Sequence, residues 1–488
     1  MAEEAPKGAL DKVLDSIVGT INGLIMPPKN DEKGPVGEFV DHWFGIHTWS
    51  EWVGGKGVSR GMFLIALYFP LLIAAEITFP GYLRLVIGWL YMGFPIFGPV
   101  ALSVGFWAAW MWYIRSLYIF KRTNPVLLEV KMPTDIFKSP RAMEQVLTSF
   151  WIRAGETTEI DRYWFGGTRP YSSLEICSFG GEVHFFIWIR SSYRNMIEAA
   201  MYSQYPEVEI VEAEDYASRF EFDPALHNCF VTDYVYDNRH QDHVSDVYPI
   251  KTYVDFELDK DPKEEFKVEP YASVIEVLGA MNKDEQAWVQ IVIRGYFAKD
   301  WLKSVEKEVQ KIRDEASLQV SIDADGNEVT KTAFPRPTET QKEQMIAMER
   351  QLSKLPFECG LRGIYIAPAG KMRSAEYTAI RWLWRPFNDP NVLNAIRPKY
   401  AHNDFDYPWQ DWGDGPDGVR WILWTRRYLD MYRRRQFFST PWQINEDPIH
   451  MSTEILATLW HPPSRTVTTP GLQRIPTAKS AAPPNLPM

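Results

Sequence analysis

Cysteine is nearly missing. Cys177, Cys229 and Cys359 stand far apart in a chain of 488 residues, so neither a disulfide framework nor a paired-cysteine metal site is available, and the chain fits a reducing compartment. Positive charge is also in deficit. The 52 Lys and Arg against 63 Asp and Glu give a net charge of −11, which excludes coating of nucleic acid through bulk charge but leaves a local basic face open. No G-x-x-x-x-G-K-[ST] motif occurs, and Gly54-Gly55-Lys56-Gly57-Val58-Ser59 shares only its composition. The chain therefore has no phosphate-cradling loop and no motor of its own. H-E-x-x-H is missing too. No cofactor and no metal are expected, and no catalytic residue can be picked from the carboxylates, so the expectation is a protein that is not an enzyme.

Charge is also missing where apolar residues are densest. Leu85 to Ile114 contains no charged residue, and Met62 to Ala75 is a second apolar run ahead of it. About twenty apolar residues suffice to cross a bilayer, so the pair predicts a transmembrane hairpin within residues 57–122. The first run carries Pro70 and ends near Glu76, a side chain that can snorkel or face protein. Pro95, Gly98 and Pro99 interrupt the second, so Leu85 to Phe94 is an interfacial or re-entrant piece, and the crossing helix runs from Val100 to about Phe120. Two crossings are expected, with three as the alternative. Lys56 and Arg60 precede the pair, Arg115, Lys121 and Arg122 follow it, and only Arg84 lies between. The positive-inside rule then puts both flanks, both termini and the bulk of the chain on the cytoplasmic side of a multi-pass membrane protein. Trp107, Trp110, Trp112 and Tyr113 beside Arg115 suit an interfacial aromatic belt.

Residues 1–56 form an amphipathic and interfacial region. Leu10, Val13, Leu14, Ile17, Val18, Ile21, Leu24 and Ile25 recur at helical spacing until Pro27-Pro28, and the opening residues do not read as a secretory signal. Past the membrane region the composition, 45% hydrophobic and 24% charged, is far from that of disordered chains. Two compact domains are expected, 123–225 and 226–460, followed by an extended Pro-rich tail over 461–488.

The first domain reads element by element. A strand from Val126 to Lys131 precedes a helix that starts at Ser139-Pro140 and runs to about Ile152. Strands Ser172 to Phe179 and Glu182 to Arg190 flank the turn Gly180-Gly181. A helix from Tyr193 to Ser203 and a strand from Val208 to Glu212 complete the order β-α-β-β-α-β, the ferredoxin-like unit. A weaker copy follows: strand Ile250 to Leu258, helix Tyr271 to Met281, strands Ala287 to Phe297 and Leu361 to Ala367, and helix Ser374 to Phe387. A helical insertion, 301–354, separates its third and fourth elements. The fold class is therefore α+β, an N-terminal transmembrane helical hairpin followed by tandem ferredoxin-like domains.

Candidate sites are few. His240-Gln241-Asp242-His243 near Asp246 reads as a solvated loop rather than a metal site, and Asp323, Asp325, Gly326 and Asn327 do not register with the calcium-loop pattern. The sharpest feature is Arg420, Arg426, Arg427, Arg433, Arg434 and Arg435 around a single Asp430. These are candidates for binding phosphate, anionic lipid or an acidic partner; a solvated helix face with intrahelical ion pairs explains them equally well. Phe185, Phe186, Ile187 and Trp188 give the hairpin an aromatic face able to stack bases, although the RNA-binding signature is not matched.

A resemblance rests on Ser139-Pro140-Arg141-Ala142-Met143-Glu144, Ser173-Leu174-Glu175-Ile176, Gly180-Gly181, Phe185-Phe186, Arg194 and Tyr202 to Pro206. It extends through Phe405 to Gln410 and Ser452 to His461. This chain resembles an uncharacterised bacterial membrane-anchored domain family, similar to the region that precedes the motor in conjugation and type IV secretion ATPases. The resemblance implies a non-enzymatic inner-membrane platform or scaffold subunit of a secretion or conjugation-like machine, oligomeric, in contact with the lipid bilayer and docking a separate cytoplasmic ATPase. The alternative is a membrane-anchored nucleic-acid-binding protein.

Overall fold

Proline and glycine set the first described turn. In a computed structural model the described residues are 70, 72–133, 138–152, 158–237, 246–259, 269–296, 299–322, 328–332, 334–400, 419–439, 448–464, 467, 471–472 and 474–475. The chain forms two compact units, 1–100 with 404–415 and 101–403 with 416–488. In the first, helical residues 72–78 stop at Pro80 and Gly81. The Glu76 carboxylate then accepts from the backbone N–H of Gly81 at 2.9 Å and Leu83 at 2.6 Å. It thus satisfies donors that the start of the next helix, α1 (Tyr82–Leu117), leaves open. Among the described residues no single helix is long and apolar enough to cross a membrane; Tyr82–Pro95 and Gly98–Arg122 pass by length and composition only together, as a broken pair.

After a π-helical turn at Tyr118–Arg122, the chain alternates strands and helices: β1 Pro125–Pro133, α2 Pro140–Thr148, α3 Glu159–Tyr163, β2 Ser172–Phe179, β3 Glu182–Arg190, α4 Arg194–Gln204, β4 Glu209–Ala213 and α5 Tyr216–Arg219. Next come β5 His227–Tyr236, α6 Tyr271–Gly279 and β6 Gln286–Gly295. The insertion consists of α7 Lys299–Ser317, a hairpin of β7 Leu318–Ile322 and β8 Glu328–Thr332, and α8 Glu339–Leu352. Then follow β9 Pro356–Pro368, α9 Ser374–Arg381, β10 Ile396–Tyr400, α10 Val419–Arg433, β11 Ile449–Ser452, α11 Thr453–Leu459 and β12 Arg474–Ile475.

The protein is mixed α+β with one large sheet. Its ten strands run β10-β5-β9-β6-β2-β3-β1-β12, with β11 added to β9 and β4 to β1. All pairs are antiparallel except the short β1–β12 contact. The first half is ordered β4-β1-β3-β2 and the second β10-β5-β9-β6. They join edge to edge, Ser172–Phe179 of β2 against Ile293–Gln286 of β6.

One expected strand is corrected. Residues 250–252 are irregular and 253–258 are turns, and the first strand of the second half is β5. Ile250, Tyr253 and Leu258 are apolar because they are buried in the core, while the backbone N–H and hydroxyl of Thr252 donate to Asp255 in a local turn. At the start of the tail His461 is buried and stacks on Tyr271 at 4.4 Å.

Period-two alternation gives the sheet two faces. One carries Leu128, Leu174, Ile187, Ile291 and Leu361 and is covered by α2, α4, α6, α9 and α11. The other carries Leu127, Cys177, Trp188, Trp288 and Val292, covered by α5, α10 and Phe437–Phe438. Gly360 leaves the room that Phe437 fills, because a Cβ there would sit 2.2 Å from its ring.

Candidate functional site

Directly opposed residues on adjacent strands share a face, and at the level of Glu175 this register draws a polar line across the second face. Glu129 (β1) opposes Phe186 (β3), which opposes Glu175 (β2). Glu175 opposes Gln290 (β6), then Arg362 (β9), Asp233 (β5) and Lys399 (β10) follow. The belt is sealed: Glu175, Gln290, Arg362 and Asp233 are buried beneath α10 and the segment that follows it.

α10 supplies the rest of the cluster. Its end is a Schellman motif, with Gln436 N donating to Met431 O at 3.1 Å and Arg435 N to Tyr432 O at 3.0 Å. The left-handed residue, commonly glycine, is here Arg435 at φ 50. What offsets the strain is the side chain, which is fully buried and forks onto Asp215 at 2.6 and 2.8 Å while donating to Glu175 at 3.0 and 3.3 Å. Glu175 also accepts from Ser173 at 2.7 Å, Tyr216 at 2.6 Å and Gln290 at 3.1 Å, so both its oxygens are saturated. Across the belt, Arg362 donates to Asp233 at 3.0 Å and to the Gln436 carbonyl at 3.2 Å, and Tyr428 donates to Asp233 at 3.2 Å.

Burial sets the proton affinities. It would lower Arg435, but Glu175 and Asp215 outweigh it and hold the guanidinium well above its ordinary value. Asp215 lies below its ordinary value, because Arg435 overcomes the opposite pull of burial. Asp233 lies above, burial winning over Arg362. Burial also pushes the Cys177 thiol and the Tyr216 and Tyr432 hydroxyls far up, so these groups stay protonated and unactivated near neutral pH. What the belt can do chemically is lock α10 onto the sheet. At its open end, His184 Nδ1 lies 2.6 Å from Glu129, beside a cleft of about 110 Å³ between β1, β3 and the tail residues Leu472, Arg474 and Ile475.

The expected arginine face is therefore divided. Arg426 and Arg427 are exposed, with Arg427 over the Trp424 ring at 5.4 Å, and Arg420 lies in the first turn of α10. Arg433, Arg434 and Arg435 do not join them, which corrects the single anion-binding face. Arg433 donates to the carbonyls of Ala217, at 3.0 Å, and Phe220. Arg434 pairs with Asp430 at 2.8 Å and donates to Ser116 Oγ at 2.6 Å, lying over Trp112 and Phe120. Arg435 is the buried ion. The helix ends at Arg433, so three successive arginines leave it in three directions. The aromatic face of the hairpin is corrected as well: Phe185, Phe186 and Trp188 are buried, so no base can stack on them.

No sequence pattern marks Asp215, Asp233, Gln290 or Arg362 as site residues, and Glu175 enters only within the resemblance segment Ser173 to Ile176. The usable signal is a charged or amide residue at the centre of an otherwise apolar strand, such as Glu175 between Leu174 and Ile176. Among the described residues no group of three or more His, Cys, Asp or Glu can hold a metal. Asp246 is bonded instead to His450 Nδ1 at 2.5 Å, and His240, Asp242, His243 and residues 323–327 lie outside the described residues. So do Gly57-Val58-Ser59-Arg60-Gly61 and Gly413-Asp414-Gly415-Pro416-Asp417-Gly418, which have G-x-S-x-G and G-x-G-x-x-G spacing. Each spacing is weak without its strand–turn–helix context. No protein-family model matches the chain, and no curated protein matches it.

Proposed function

We propose that this protein is a membrane-attached, non-catalytic platform whose sheet domain is held at the surface of a bacterial inner membrane. The observation that carries the reading is the side-chain surface of the helical residues before β1. Ile87, Trp89, Leu90, Met92 and Phe94, then Leu102, Val104, Phe106, Trp107, Trp112 and Tyr113, are all exposed, a density of large apolar groups that soluble monomers rarely present and that marks an interaction surface. The strand orders of the two halves support reading them as tandem ferredoxin-like units. The sealed belt supports a structural task for the polar cluster. Docking of a separate ATPase, and a place in a secretion or conjugation-like machine, rest on the sequence resemblance and on the missing phosphate-cradling loop.

The test uses the full chain expressed in bacteria. It should remain in the membrane pellet after alkaline carbonate washing, with reporters at residue 1 and after Pro487 both on the cytoplasmic side. Release by carbonate overturns the platform reading, and a C-terminal reporter outside the cytoplasm overturns its topology.

A further inference from the structure

The loop around α3 is far in sequence from the apolar helix yet packs along it. Thr158 caps the loop, its side chain accepting from Asp161 N at 3.1 Å. Gly167 N closes onto Asp161 O at 2.6 Å, and Phe165 N onto Ile160 O at 3.1 Å. Gly166, at φ +71, permits close approach to the helix, since a Cβ there would lie 2.6 Å from the Ile114 carbonyl. Trp110 Nε1 donates to Tyr163 O at 2.9 Å, Trp107 meets the Tyr163 ring at 5.3 Å, and Trp110 meets Trp164 at 5.5 Å. The fold therefore holds this loop rigidly against α1 and still leaves Ile160 63%, Trp164 65% and Phe165 41% exposed.

Three neighbouring large apolar side chains at a loop tip are costly in water. The loop has the composition of the headgroup layer, where aromatic rings lie with one edge wet and cations snorkel outward. Arg122 lies over Phe165 at 4.9 Å and Arg162 over Tyr163 at 5.8 Å, with exposed Lys121 beside Arg122. Glu159 and Asp161 counter part of that charge. We propose that Thr158–Phe165 is a second membrane contact, its apolar tip seated at the headgroup–acyl boundary of an anionic bilayer beside the base of α1. Resting on the membrane-attached reading, this contact would add a second point of attachment and so restrict the orientation of the sheet domain.

The three native cysteines are buried, so single introduced cysteines can carry an environment-sensitive fluorophore. W164C, L102C and E349C variants of the full chain are labelled and reconstituted into phosphatidylcholine–phosphatidylglycerol vesicles containing lipids spin-labelled at shallow or deep acyl positions. The label at 164 should lose at least half its emission to shallow quenchers, that at 102 should respond to deep quenchers, and that at 349 should respond to neither. If 164 is unquenched while 102 is quenched, the loop contact is overturned and the anchor survives. If neither responds, the membrane-attached reading falls, and this inference with it.

Discussion

The two halves of the sheet solve one electrostatic problem by different means. Relating β1, β3 and β2 to β5, β9 and β6 about the central β2–β6 seam sets Glu129 against Asp233, Phe186 against Arg362 and Glu175 against Gln290. In the second half the cation for the buried carboxylate is built into the neighbouring strand. In the first half that position is Phe186, and the cation for Glu175 comes from Arg435, beyond the sheet and just past α10. The second half is thus charge-compensated within its strands, whereas the first is complete only when α10 has docked. The difference turns three consecutive arginines, which in sequence look like one charged patch, into a clasp.

Removing the borrowed cation should have the largest effect. Arg435→Met leaves Glu175 and Asp215 facing each other without it, and breaking a buried pair from one side costs about 3–5 kcal/mol. Chemical denaturation of the full-length protein should show that loss. Thiol labelling of Cys177, under α10 in the first half, should speed up more than labelling of Cys229 in the second. Equal acceleration of both thiols would mean the halves are not distinguished by the source of their cation.

Arg362→Met tests the other half and should cost less, about 3 kcal/mol, because it strands one carboxylate that can take up a proton. Burial already raises Asp233. A group whose folded pKa is raised favours the fold below its unfolded pKa and loses that contribution as pH rises through the folded value. The Arg362→Met deficit should therefore be smaller at pH 5 than at pH 8 in paired denaturation curves. A deficit independent of pH would show that Asp233 is neutralised by another group.

How much of this could be read in advance depends on how local its cause is. The first half's hairpin follows from Gly180 and Gly181, both at positive φ between alternating strands, so its boundaries stand where periodicity puts them. β5 is hidden because Thr232 and Asp233 interrupt an otherwise apolar run, while the buried Ile250, Tyr253 and Leu258 make an irregular segment imitate a strand. Arg433, Arg434 and Arg435 could not be sorted by spacing, since they lie at and beyond the helix end, where the 3.6-residue period no longer assigns faces. Their partners Phe220, Ser116 and Glu175 are hundreds of residues away in the chain.

Within the second half, Arg373 and Glu285 form a further clamp at the start of β6. Burial would raise Glu285, but Arg373, the Asn282 N–H and Tyr365 outweigh it and hold the carboxyl at about 2 against an ordinary value of 4.5. Stability from this depressed value is present above pH 4.5 and lost as pH falls toward 2. Arg373→Gln should cost about 1.5–3 kcal/mol near neutrality and flatten the acid limb of the stability curve in that window. An unchanged acid limb would place the proton uptake on other carboxylates.

The smallest expected effect on the fold belongs to the exposed arginines. Arg426 and Arg427 lie on the outer side of α10, and neither reaches the belt, so Arg426→Gln with Arg427→Gln should leave stability within about 0.5 kcal/mol and both thiol-labelling rates unchanged. Any effect on anion binding should appear separately. Adsorption of the detergent-solubilised protein to phosphatidylglycerol vesicles should weaken at low ionic strength and converge with the unaltered protein at high salt, where exposed charges are screened. Loss of stability in this double variant would show that the outer face of α10 belongs to the clasp. Intact stability with unaltered adsorption would reduce the pair to a solvated helix surface, and the division among the arginines would then separate structure from solvent rather than structure from binding.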